Sequence, residues 1–217
     1  MKKTFLPQGL FVLLLFFPLL LGARILGSRS LEGVFLIWNL FLAVVPLLFA
    51  WLTNFFVQGG YNRILAFISF GCWLLFFPNS GYIITDLMHL NGGLTRNLIW
   101  FDSLLIFYTA LAGLVFGLYS LHVVHEAMEK CMPQKWVWAA LIVIFVLCGY
   151  GIYLGRFMRF NSWDLLADPL VLMKEALLAL TERKAQYVTV FFASTQFVLY
   201  LSLWLFKKQR NADIQNA

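Results

Sequence analysis

The chain has 217 residues, 62% hydrophobic and 12% charged, with a mean hydropathy of +0.82. Soluble domains carry roughly 45–50% apolar and about 25% charged residues, so the composition excludes a soluble globular enzyme, a disordered tail and a nucleic-acid-binding domain. The net charge of +6 comes mostly from bases that cap hydrophobic runs, where they meet lipid headgroups and set topology. The partners this implies are membrane lipids and no nucleic acid.

The first apolar run, Phe5–Ile25, follows Lys2 and Lys3 and covers 21 residues. That is long for the apolar region of a signal peptide and sufficient for a bilayer crossing. It reads as a retained first helix, with cleavage near Ala23 as the alternative. The second run, Val34–Phe56, carries a kinking Pro46 and a lone amide, Asn39, suited to an interhelical hydrogen bond. The third, Ile64–Phe77, has only 14 residues before Pro78 and is too short to cross about 30 Å of hydrocarbon. The fourth, Leu98–Leu121, places Thr109, Gly113 and Gly117 at four-residue spacing. The fifth, Trp136–Phe157, carries Gly151 and Gly155. Such small-residue stripes let helix backbones approach closely in lipid. After the fifth, Asp168-Pro169 reads as an N-cap and first helical proline, opening a short surface helix over Leu170–Lys184. The sixth run is Tyr187–Phe206. Trp51, Tyr61, Trp100, Trp136, Tyr187 and Trp204 sit near the ends of runs, as an aromatic belt requires. The expected fold is one all-α polytopic membrane domain of about six spans, with a short, broken third helix and polar loops at 78–97 and 158–186.

Cys72, Cys131 and Cys148 show no metal-ligand spacing, and the two inside apolar runs behave as small hydrophobes. Six crossings put both termini on one side. Eight bases fall there (Lys2, Lys3, Arg63, Lys130, Lys135, Lys207, Lys208, Arg210). Eight fall on the other side (Arg24, Arg29, Arg96, Arg156, Arg159, Lys174, Arg183, Lys184). Discounting Arg156 and Arg159 as site residues favours cytoplasmic termini.

Polar residues cluster in the two loops. In the first, Pro78 and Gly81 break the helix, Asn79 or Ser80 can cap the next helical segment, and Thr85, Asp86 and His89 come next. Asp86 and His89, three apart, share a helical face. Ionisable groups at a bilayer edge are costly and mark sites, so Asp86, His89 and the nearby Asp102 are acid–base candidates, while a solvated loop and a dipole-favoured carboxylate at a helix start are the bland alternatives. In the second cluster, Arg156 and Arg159 at i, i+3 lead into Asn161, Ser162, Trp163 and Asp164. Two guanidiniums suit a carboxylate or phosphate; snorkelling to headgroups is the alternative. The expected pairing sets Arg156 and Arg159 against Asp86, Asp102 or Asp164. Candidate binding residues are Asn79, Ser80, Thr85, Arg156, Arg159, Asn161, Trp163 and Asp164. His122, His125, Glu126 and Glu129 follow neither zinc-protease helix pattern, so no metal is assigned. There is no Walker loop, nucleophile elbow or dinucleotide fingerprint, and no cofactor can be named.

These stretches resemble a family of bacterial membrane proteins grouped as domain-of-unknown-function family 1361. The residues that carry the resemblance are Phe77-Pro78-Asn79-Ser80, Tyr82 to Leu87, His89-Leu90, Trp100-Phe101-Asp102, Gly155-Arg156, Arg159 and Asn161 to Asp164. Asn39 and Pro46 also fit. Gly81 stands where the family usually has proline, which suggests a looser break. The resemblance implies a bacterial multi-pass membrane protein and no activity. Three functions remain open from the sequence: an enzyme or binding protein for an anionic lipid-linked or phosphate-bearing substrate, a small-solute or ion transporter, and a structural or accessory membrane protein.

Overall fold

The computed structural model describes residues 8–60, 62–91 and 99–216. Among these the regular structure is entirely helical. Six helical stretches are long and apolar enough to cross a membrane. The chain divides into two compact units, Met1–Lys130 and Cys131–Ala217, and each is described by itself.

The first unit contains α1 (Gln8–Ser28), α2 (Phe35–Gln58), α3 (Arg63–Phe76), α4 (Pro78–Tyr82), a 3-10 helix (Ile83–Asn91) and α5 (Ile99–Cys131). Its core joins Leu10, Phe17 and Leu21 of α1, Leu36, Leu40 and Leu47 of α2, Ile83, and Leu105, Ile106 and Phe116 of α5. The first apolar run is therefore an integral wall of the unit, further held by Tyr108, whose hydroxyl donates to the Leu13 carbonyl at 2.6 Å.

The third run differs most from its expected form. Pro78 ends α3, but the chain continues as one turn of α-helix and then a 3-10 helix, giving an apolar helical path of 26 residues, Arg63–Met88. The polar side chains at the break bond to nearby backbone carbonyls, each three residues earlier. Asn79 donates to Phe76 O (3.0 Å), Ser80 to Phe77 O (2.8 Å) and Thr85 to Tyr82 O (2.6 Å). Irregular backbone at membrane depth requires such partners. Much of the expected polar loop is thus helical and packed inside protein. Nor is the break loose. A Cβ on Gly113 would lie 2.6 Å from Ile83 Cγ2 and 3.2 Å from Ser80 O, and one on Gly117 would lie 2.7 Å from Ser80 Cβ. The small-residue stripe of α5 is the bed on which the broken helix rests. Trp73 Nε1 donating to Ser120 Oγ (3.2 Å) ties α3 to the same helix.

The second unit contains α6 (Gln134–Arg156), α7 (Asp164–Ala167), α8 (Pro169–Ala179) and α9 (Arg183–Asn216). α6 and α9 approach closely at Gly149, where a Cβ would meet the Thr189 backbone and lie 3.2 Å from Ala193 N. α8 begins as expected, with Pro169 in its first turn and the Asp168 carboxylate accepting from Val171 N. It stops at Ala179, and α9 starts four residues before the expected Tyr187.

Candidate functional site: two buried carboxylates and an arginine loop

The polar end of the first unit is built from residues that the chain separates widely. Arg24 lies one turn from the end of α1, inside an apolar span, where an isolated charge would be expensive. Its side chain is 0% exposed, and the structure supplies it with five acceptor contacts. Nε donates to Asp102 Oδ1 (2.9 Å) and Nη2 approaches Oδ2 (3.4 Å). Nη2 also donates to Glu32 Oε2 (2.8 Å). Nη1 reaches Ser28 Oγ (3.2 Å) and the Ser30 carbonyl (3.1 Å). The planar guanidinium suits this forked arrangement as an ammonium would not. Asp102, 2% exposed, is thereby paired with Arg24, a residue that sequence patterning assigns only to topology. Glu32 was likewise not legible as a site residue. The available signal was Arg24 itself, a charge in the last turns of an apolar helix.

A second carboxylate lies at the same end of this unit. Asp86, on the 3-10 helix, is 0% exposed and accepts from Asn39 Nδ2 at 2.6 Å. Asn39 sits in the second turn of α2, so the lone amide in the second span makes its interhelical bond to this acid. The arrangement gives the first unit two buried carboxylates: one in an ion triad, the other held by an amide. The side chain of His89 lies outside the described residues.

The arginine loop belongs to the second unit. Arg156 is the last residue of α6 and half-buried. Arg159 is exposed and adopts φ +63°, a left-handed conformation that costs an L-residue about 1–2 kcal/mol and usually falls to glycine at a helix stop. The following Phe160 N–H returns to Leu154 O at 3.1 Å, so this twist is what ends the helix. Asp164 Oδ2 accepts from Asn161 N at 2.7 Å, while Asp164 N donates to the Asn161 backbone carbonyl at 3.0 Å, so the two residues close a tight turn just before α7. Asn161 is exposed, and Trp163 is 42% exposed.

At the far end of α5, His122 and Glu126 approach at 3.2 Å and His125 and Glu129 at 3.3 Å. These are neighbouring i, i+4 pairs along one helix.

Six membrane-length apolar helices with charged groups gathered at helix ends define a multi-pass α-helical membrane protein. Residues 38–201 match the family model described as a protein of unknown function, DUF1361, and the chain belongs to that family. No curated protein and no solved structure matches it.

Proposed function

We propose that this protein binds or acts on an anionic, lipid-linked or phosphate-bearing substrate at one face of a bacterial inner membrane. The observation that carries this reading is Arg159. It is an exposed guanidinium held in a strained backbone conformation at the end of a membrane-length helix. Strain of this kind concentrates at functional positions, and a guanidinium fork matches a phosphate. Arg156 is its companion, with Asn161 and Trp163 as neighbouring contacts. Asp164 supports the loop through the Asn161 backbone.

In the first unit, Asp86 is the candidate acid or base, positioned by Asn39, with His89 three residues on. Asp102 serves there as the counter-ion of Arg24. Asn79, Ser80 and Thr85 support the break through backbone carbonyls and are assigned to substrate only through their place beside Asp86. We place the termini in the cytoplasm. Arg24 is neutralised within the protein, and removing it from the comparison of loop charges favours that side further.

The test uses the full-length protein in phosphatidylcholine vesicles that contain spin-labelled phosphatidate. The arginine loop should retain the anionic probe over a neutral one, and Arg159→Gln and Arg156→Gln should each lower that retention. In cells, Asp86→Asn should alter the profile of lipids and envelope polymers. Unchanged retention in both arginine variants, with an unchanged profile, would end this reading.

The ion triad favours a second reading, in which the charged groups only hold helices together. Charge-swapped Arg24→Asp/Asp102→Arg protein would then recover stability and function together. At Gly113 and Gly117 the broken third span packs directly on α5.

A further inference from the structure

The short helix α8 is mounted inside out for a protein surrounded by water. Its inner face is fixed to the end of α6. The Tyr150 hydroxyl donates to the Ala176 carbonyl, and Ala179 is buried in a cluster with Tyr153 and Ala185. Just beyond α8, Tyr153 donates to Glu182 at 2.5 Å. The inner face therefore meets the tyrosines through Ala176 and Ala179, with Leu172 and Glu175 also half-buried. The outer face carries Leu170 (77% exposed), Val171, Met173, Leu177 (63% exposed), Leu178 and, one residue past the helix, Leu180. Lys174 is the one charged side chain exposed within the helix. A water-facing helix would show the reverse arrangement.

Eleven residues reach about 16 Å, too short to cross a bilayer. The surrounding charges point to the occupant of this face. The three acids that flank the helix are engaged locally: Asp164 on Asn161, Asp168 on the Val171 N–H, and Glu182 on Tyr153; the one acid within it, Glu175, is half-buried, while Lys174 beside it is exposed. The cations Arg159, Lys174, Arg183 and Lys184 are exposed. Lys184 lies over the Phe157 ring at 3.8 Å; an apolar face edged by the exposed cations Arg159, Lys174 and Arg183 complements a bilayer surface, with acyl chains beneath and anionic phosphates at its rim.

We infer that α8 is an interfacial anchor, lying in the boundary between acyl chains and headgroups with its leucine face towards lipid. Its tyrosine mounting then sets the depth of the arginine loop on the same unit. This requires only a lipid surface and stands whether or not the arginines hold a substrate.

The experiment places an environment-sensitive fluorescent amino acid at Leu177, and separately at Met173, in the full chain reconstituted into phosphatidylcholine vesicles. Lipids brominated along the acyl chain should abolish much of the emission at both positions, and aqueous iodide should have little effect. Adding phosphatidylglycerol should deepen the bromine quenching, and Lys174→Gln/Arg183→Gln/Lys184→Gln should remove that increment. Quenching by iodide would place the face in water, and quenching by neither agent would show that protein covers it. Either result overturns the anchor. Both probe sites are exposed, so the labelled chains keep their fold. Loss of phosphatidate retention with normal bromine quenching would reject the substrate reading and leave the anchor intact.

Discussion

Arg24 and Asp102, 78 residues apart, meet at 2.9 Å inside the first unit. The contact joins the end of α1 to the first turn of α5, and Glu32 draws the intervening connection onto the same guanidinium. Removing one partner of a buried pair leaves an uncompensated charge, which costs about 3–5 kcal/mol. Arg24→Met should therefore lower stability by that amount in detergent unfolding. Arg24→Met/Asp102→Leu should recover most of the loss. Glu32→Gln, at a carboxylate 42% exposed, should cost about 0–1 kcal/mol, as exposed pairs do.

The close seat of the broken helix gives a second test. Gly117→Ala drives a methyl group into Ser80, and overpacking of this kind costs about 1–3 kcal/mol. Gly117→Ala/Ser80→Gly should recover part of it. Gly71→Ala meets nothing within 4 Å and should be neutral or mildly stabilising in the same thermal unfolding assay.

At Arg159, stability and function should separate. Arg159→Gly relieves the left-handed strain and should stabilise the protein by about 1 kcal/mol, yet retention of spin-labelled phosphatidate should fall as far as in Arg159→Gln. A glycine variant that is more stable and still retains the probe would assign this arginine to the helix stop alone.

The mounting of α8 is open to the same kind of measurement. Tyr150→Phe and Tyr153→Phe each delete one hydrogen bond, worth about 0.5–1.5 kcal/mol. Amide exchange across residues 169–182 should quicken in each variant, while exchange in α2 stays unchanged.

Much of this molecule is determined by composition and periodicity. Low charge and runs of apolar residues of bilayer length dictate helices, because lipid offers the backbone no other partner. Pro78 dictates a break, Asp168-Pro169 dictates the start of α8, and the glycines of α5 dictate a close approach. A loop motif at 77–90 carries the family. What the runs do not encode is which charges meet. Arg24 reads as one more topology-setting base, and Asp102 is placed equally well by a helix dipole. Only the gathering of helix ends makes them a pair, since a buried ion is tolerated when the fold brings its counter-ion into reach. The same holds for Asn39 and Asp86, and for Gly117 beneath Ser80. Hydropathy sums over neighbours along the chain, whereas the energy of a buried charge or a close contact depends on neighbours in space, and those exist only once the helices have packed.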